Sequence, residues 1–243
     1  MSYAPEELLA FTLARLIGDA QHVAVGAASP IPATAAFLLR ATNGGLPRIS
    51  LLQRRKGNPF TDGSRELFDL AGQGRIDVFF LGGAQIDGEA NINLVGTGDY
   101  PNVDARFPGS FGSAFMYFTA KRTILFREEH SRRVLVPKVD FVSAPGWSEP
   151  GVWRRGGPQA LLTGKALFAW QKERRRFRLA SVHPGIGVDE IHADTGFEFD
   201  CPSPAPVTPG PDTASLVLLR GPVAKEIAAD YPDFARRVWG VFC

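Results

Sequence analysis

Apolar residues fall at helical spacing near the start of the chain. Leu8, Leu9, Leu13, Leu16 and Ile17 predict an amphipathic helix over residues 5–19 that ends near Gly18. A brief apolar run at residues 23–26 predicts a strand, and the small-residue turn Ala27-Ala28-Ser29-Pro30 opens a second helix over residues 31–40, closed by Asn43-Gly44-Gly45. The same alternation then repeats. Residues 46–52 predict a strand, residues 64–73 a helix with Leu67, Phe68 and Leu70 facing inward, and residues 76–81 a buried strand interrupted only by Asp77 and stopped by Gly82-Gly83.

The second half reads less regularly. An apolar helix is predicted over residues 114–120, strands over 123–126 and 138–143, and a Gly-, Pro- and Trp-rich loop over 147–158 that covers a site or a partner surface. Residues 160–170 and 174–182 predict a hairpin pair, with Gly164 suited to a bend, followed by a short helix at 188–194. A C-terminal segment, residues 201–243, combines an extended proline-rich stretch with a last helix over about 222–229. Its aromatic end, Tyr231, Phe234, Trp239 and Phe242, predicts packing on an outer face, where apolar chain ends often form interfaces. Strands alternating with helices predict an α/β fold, a mainly parallel sheet flanked by helices, in one domain spanning residues 1–243.

Composition narrows the partners. Hydrophobic content of 44% with 21% charged residues suits a soluble α/β domain, and a net charge of +2 makes no case for nucleic acid. The exception is residues 172–178, where five bases surround Glu173; they read either as a solvated edge or as a surface for an acidic partner or for phosphates. Cys201 and Cys243 suggest neither a disulfide framework nor a metal knuckle, so a reducing cytoplasm is expected. The four histidines, at 22, 130, 183 and 192, lack ligand spacing, so no metal is expected. The first twenty residues lack the basic start of a secretory signal, and no apolar run reaches the length a membrane span needs.

Chemistry concentrates after the strand at 76–81. Ligand sites of open α/β sheets lie beyond the carboxyl ends of strands, and here Gly82-Gly83 is followed by Gln85, Asp87, Asn91 and Asn93. Hydrogen-bonding side chains after a turn without Cβ atoms predict the floor of a binding site. Farther on, the glycine-flanked amides of Gly109, Ser110, Gly112 and Ser113 precede an apolar helix and read as an oxyanion or phosphate nest, or as an ordinary helix-entry turn.

The ordered set Gly82-Gly83-Ala84-Gln85-Ile86-Asp87 with Asn91 and Asn93, then residues 107–114, residues 130–146, residues 181–185 and residues 194–197, resembles the β subunit of the family I CoA-transferases, the glutaconate and 3-oxoacid type. The resemblance covers roughly residues 20–210 and implies a CoA-transferase type of α/β fold. It implies an acyl-CoA substrate, coenzyme A as substrate or product and no further cofactor. It also implies a homologous α subunit, commonly in an α2β2 assembly with the active site shared between subunits. Gln85 and Asn93 are expected at the substrate carbonyl, and Gly82, Gly83, Asp87, Asn91 and the loop of Gly109, Ser110, Gly112 and Ser113 around the thioester.

In that family the strand at 46–52 leads to a glutamate nucleophile, which becomes a glutamyl-CoA thioester. Here the position falls on Gln53 or Arg54, and no glutamate occurs between Glu7 and Glu66. An amide is no nucleophile and a guanidinium stays protonated, so neither residue forms that intermediate. Family relatives without this glutamate hydrolyse steroid-derived β-keto CoA esters or decarboxylate glutaconyl-CoA, and this chain is expected among them. The cations at Arg54, Arg55 and Lys56 are then expected either to hold a phosphate or carboxylate of the substrate or to form a solvated loop. Two alternatives stand beside this reading: a transferase using Asp62 or a carboxylate of the partner, and a non-catalytic chain that stabilises or regulates its partner.

Overall fold

The structure is a computed structural model that describes residues 2–54, 57, 58, 60 and 62–241. Its contacts gather in two compact units, one made of residues 1–80 and 209–243, the other of residues 81–208.

The first unit is built on parallel strands β1 (His22–Val25), β2 (Arg48–Leu51) and β3 (Val78–Leu81), whose last residue belongs to the second unit. β1 lies between the other two, pairing Val23 with Ile49 and with Val78. Strands that run the same way need crossovers, and helices α2 (Pro30–Thr42) and α3 (Ser64–Gly72) supply them. α1 (Pro5–Ile17) precedes the first strand. Strands β1 and β3 are buried at every residue, which explains their continuous apolar runs. Polar groups at the strand ends are paired. The Asp77 carboxylate accepts from the backbone N–H of Gln21 and His22 at 2.9 and 3.0 Å, and His22 bridges the Arg75 carbonyl and the Ser50 hydroxyl at 3.0 and 2.8 Å.

The C-terminal segment folds back into this unit. The helical run starts earlier than expected: α6 (Thr213–Leu218), a π turn (Leu219–Val223) that accommodates Pro222, then α7 (Ala224–Asp230), and α8 (Pro232–Trp239). Asp212 caps α6 by accepting from the Ser215 N–H at 2.7 Å, a start signal hidden among the prolines. The aromatic end faces inward rather than outward. Tyr231 and Phe234 are buried, and Trp239 donates its indole N–H to buried Glu7, which also holds Arg220 at 2.7 Å. Phe242 lies outside the described residues.

The second unit holds two short antiparallel pairs, β4 (Gln85–Ile86) with β5 (Ile92–Asn93) and β6 (Gly96–Thr97) with β7 (Ala105–Arg106), followed by α4 (Ser113–Thr119). β8 (Arg122–Arg127) then runs parallel to β9 (Pro158–Thr163), and β10 (Ala166–Gln171) and β11 (Arg176–Val182) continue antiparallel, with α5 (Val188–Asp194) after them. The fold is thus α/β with mainly parallel strands flanked by helices.

Two strand expectations change. Residues 160–170 divide at Gly164, whose N–H donates to the Glu128 carbonyl at 2.8 Å and which turns the chain between β9 and β10. Residues 138–143 form no strand, because their backbone donors go elsewhere. The Val139 N–H donates to the Asp87 carboxylate at 3.3 Å, that of Asp140 to the Gln85 side-chain oxygen at 3.0 Å and that of Ser143 to the Ile92 carbonyl at 2.9 Å. The basic turn is partly paired within the chain. Arg174 and Arg176 pair with Asp200, and the Arg175 guanidinium sits 3.7 Å from the Trp147 ring centre.

Candidate active site

β3 runs into Gly82-Gly83, and there the closely approaching group is the chain itself. A Cβ at Gly82 would lie 2.9 Å from the Phe126 carbonyl, and one at Gly83 2.7 Å from the Gln85 carbonyl. The glycines let the chain fold straight into the β4–β5 hairpin. Its turn is organised by Asp87, 4% exposed, whose carboxylate accepts from the N–H groups of Glu89 and Asn91 at 3.1 and 3.0 Å and from the Asn91 amide at 3.2 Å. Burial pushes the Asp87 carboxyl up, against the opposing pull of these donors. Asn91 accepts in turn from the Gly146 N–H at 3.1 Å, which ties residues 139–146 along the hairpin.

Gln85 and Asn93 face each other across β4–β5. The Asn93 amide donates to the Gln85 carbonyl oxygen and to the Gly96 carbonyl, both at 2.7 Å. Its own oxygen accepts from the N–H groups of Val95 and Gly96 at 3.0 and 3.3 Å. Asn93 is fully buried, and its two amide hydrogens are both committed to the loop's framework. Gln85 differs. Its oxygen receives Asn93 and the Asp140 N–H, while its amide donates to the Asp140 carboxylate at 3.0 Å. Asp140, exposed to solvent, also receives the Gly98 N–H at 2.9 Å.

The loop with Gly109, Ser110 and Gly112 follows β7 and is exposed or half-buried. Gly109 packs so closely on Leu94 that a Cβ would come within 2.9 Å of its side chain, and Leu94 N–H is held by the Ser143 hydroxyl at 3.0 Å. Ser113, at the start of α4, has a buried hydroxyl with no hydrogen-bond partner among the described residues. The loop and the Gln85–Asn93 pair therefore hang on one strip of backbone, residues 93–98.

In the first unit, Gln53 and Arg54 follow β2. The Gln53 oxygen accepts from the Ala28 N–H at 3.4 Å. Helix α2 behind that turn carries Pro30 and Pro32, which lack N–H groups, so its first turn is poorly equipped to hold an anion. Arg54 donates through Nε and Nη2 to the Asp230 carboxylate at 3.0 and 2.8 Å and lies over the Phe37 ring at 5.2 Å. The expectation that this guanidinium holds a substrate phosphate meets a group already engaged inside the protein. Arg55 and Lys56 lie outside the described residues. Asp62 is exposed and paired with Arg65 at 2.9 Å.

Asp140 was not singled out from the sequence, although it lies in the 130–146 segment that carries the family resemblance. It lies 55 residues from Gln85 in a stretch whose alternation reads as a strand, and only the fold joins the two. Among the described residues no group of three or more His, Cys, Asp or Glu could hold a metal, and no helix is long and apolar enough to cross a membrane.

An α/β protein whose strand ends carry a glycine turn and a hydrogen-bonded polar floor belongs to the class that binds ligands at the carboxyl ends of its strands. Comparison with known proteins fixes the family: the coenzyme A transferase profile matches residues 49–194, and the chain belongs to that family. The B-type component of glutaconate CoA-transferase from Acidaminococcus fermentans is 35% identical over 150 residues, 59% of this chain and 55% of its own length. The match thus spans just over half of that relative. The crystal structure of the Acidaminococcus enzyme superposes with a TM-score of 0.79 at 26% identity, over 90% of this chain and 94% of that one. The decarboxylase AibA/AibB superposes with a TM-score of 0.78 at 26% identity, over 99% and 100% of the two chains. The IpdB subunit of a cholesterol ring-cleaving hydrolase from Rhodococcus jostii is 28% identical over 160 residues, 64% of this chain and 62% of its own length.

Proposed function

We propose that this chain is the β-type subunit of a two-component enzyme that acts on an acyl-CoA thioester by hydrolysis, C–C cleavage or decarboxylation. It does not pass through a glutamyl-CoA intermediate. The observation that carries the reading is the pair after β2: an amide, Gln53, and a guanidinium, Arg54, bound through two nitrogens to Asp230. Neither accepts an acyl group. Similarity to a decarboxylase and to a ring-cleaving hydrolase subunit supports the same direction. Coenzyme A enters as part of the substrate, and the reading calls for no metal or redox cofactor.

In this reading Gly82, Gly83, Asp87 and Asn91 form the rigid floor, Asn93 positions Gln85, and the loop of Gly109, Ser110, Gly112 and Ser113 holds the thioester oxygen. The partner is a homologous α subunit, in an α2β2 assembly in the cytoplasm. Exposed Val152 and Trp153, 52% and 66% accessible, sit in the loop predicted to cover a site or a partner surface. The full internal use of Asn93 favours a second reading, in which the polar floor is architectural and the partner supplies all the chemistry.

The test is co-expression with the homologous α chain and incubation of the purified complex with acyl-CoA thioesters and borohydride. Turnover by the complex, none by the isolated chain and no reduced adduct on it by intact mass are expected. An adduct on this chain together with CoA transfer to a free acid overturns the reading.

A further inference from the structure

We propose that Asp140 is the catalytic carboxylate this chain brings to the reaction, and that Gln85 and Asn93 exist to aim it; the proposal rests on the hydrolytic form of the function proposed above. One carboxylate oxygen, Oδ2, is fixed by two donors, the Gln85 amide at 3.0 Å and the Gly98 N–H at 2.9 Å. The Asp140 backbone N–H is fixed as well, by the Gln85 oxygen at 3.0 Å. Gly98 adopts φ +89°, a conformation that side chains resist. The other oxygen, Oδ1, has no partner among the described residues, and the residue is exposed and in no ion pair there. An aspartate serving only as a strut would be expected to use both oxygens or to be buried with its donors, as Asp87 is. Asp140 is instead held rigidly by one oxygen and presents the other.

The surroundings suit a reacting group. The next residue, Phe141, packs against exposed Tyr100 with ring centres 4.9 Å apart, which anchors the backbone beside Asp140. The strip that carries Gly98 also carries Leu94, on which Gly109 of the glycine loop packs. A carboxylate whose orientation is fixed by a buried amide chain is suited to proton transfer in a defined direction.

In the proposed step Oδ1 accepts a hydrogen bond from a water molecule. As the water oxygen bonds to a carbonyl carbon of the acyl-CoA, its proton passes to Oδ1 and the carbonyl π pair moves to the carbonyl oxygen. When that oxygen re-forms its double bond, the bond to the leaving sulfur or carbon breaks, and the leaving atom takes the proton back from Oδ1. Asp140 returns to its carboxylate form, and one water is consumed.

Asp140→Asn separates this role from that of a strut. The asparagine oxygen can still accept from both Gln85 and Gly98, while the reacting oxygen becomes an amide nitrogen. In the αβ complex, with glutaconyl-CoA and short 3-oxoacyl-CoA thioesters in heavy-oxygen water, the variant should lose about 100-fold or more in kcat. Its KM should stay within about threefold of the parent, and its melting temperature within about 2 °C. Asp140→Ala should lose both activity and stability. A parent that incorporates heavy oxygen, with an Asp140→Asn variant equally fast, overturns the role of Asp140 and leaves the function standing. A parent that transfers CoA without incorporating heavy oxygen overturns the functional reading and Asp140 with it. A complex that turns over none of these thioesters counts against both.

Discussion

The loop that leaves β2 and the segments that follow β3 and β5 are held by opposite chemistry. The loop after β2 is held by charge, with Arg54 bound to Asp230 and neighbouring Arg40 paired with Glu226. The loops after β3 and β5 are held by neutral groups, a chain of amides in which Asn93 binds Gln85 and Gln85 binds Asp140. Arg54, the one cation of the Arg54-Arg55-Lys56 run among the described residues, is used internally. The amide chain is buried for most of its length and ends on an exposed carboxylate. A functional-looking charge such as Arg54 can thus be architecture, while a buried amide ladder can support a reactive group.

The largest expected effect falls on the neutral side. Asn93→Ala removes an amide that satisfies Val95 N–H, Gly96 N–H, the Gly96 carbonyl and part of Gln85 in a site closed to water. Each orphaned buried group costs about 1–3 kcal/mol, so a loss of about 4 kcal/mol is expected by denaturant titration. A loss below about 1 kcal/mol would mean that the hairpin repacks and that the ladder is not what holds it.

A second neutral cluster in the same unit gives that side a pH dependence. His130 bridges the hydroxyls of Thr163 and Thr195 at 2.7 and 3.0 Å, and burial, helped by the Lys165 charge, lowers its pKa from 6.5 to about 4. Burial lowers His183 as well, although its bond to the Thr163 carbonyl opposes the shift. The unfolded chain therefore takes up protons on histidine before the folded one. The stabilisation is complete above pH 6.5 and is lost as pH falls toward about 4. His130 alone accounts for roughly 3 kcal/mol across that window. Stability measured against pH should fall with this slope in the parent and less steeply in His130→Gln. Equal slopes would place the acid sensitivity elsewhere.

The parts of this picture that were legible in the sequence are those set by local periodicity. α1, α5 and the β1–α2–β2 alternation follow from apolar spacing, and the polar floor after β3 was visible as Gln85, Asp87, Asn91 and Asn93 behind two glycines. What escaped depends on long-range pairing. Residues 138–143 alternate like a strand, yet the N–H groups of Val139 and Asp140 are taken by side chains about fifty residues earlier. Arg54 looked available because Asp230 lies 176 residues away. The start of α6 was masked by prolines, and the inward turn of the aromatic end depends on Glu7, at the opposite end of the chain.

On the charged side the effect should be smaller. Arg54 and Asp230 are 22% and 7% exposed at their side chains, so Arg54→Met leaves a nearly buried carboxylate without its two-pronged donor. Breaking such a pair from one side is expected to cost about 2 kcal/mol, between the surface and fully buried limits. Asp230→Asn in the Arg54→Met background should recover part of it, because the unpaired charge is then gone. If Arg54→Met instead left stability unchanged and weakened acyl-CoA binding by the complex, Arg54 would be a ligand for the substrate and the contrast between the loops would fail.

The smallest effect is expected at Asp62, and its smallness is informative. Asp62 is the sole carboxylate between Asp19 and Glu66, so a transferase mechanism confined to this chain's β2 loop must use it. The side chain is 60% exposed and paired with Arg65 one helical turn on, at 2.9 Å. Solvent-exposed pairs of this kind contribute about 0.2–1 kcal/mol, and Asp62→Asn should stay within that range. Turnover should be unchanged within about twofold, since in the proposed reading Asp62 neither forms a covalent intermediate nor touches the reacting atoms. Loss of kcat by about 100-fold or more at unchanged stability, with disappearance of a hydroxylamine-sensitive adduct mapped to Asp62 in the parent, would reinstate the glutamyl-type pathway with aspartate as nucleophile. The charged loop would then be the reactive one, and the amide ladder of the second unit would revert to a frame.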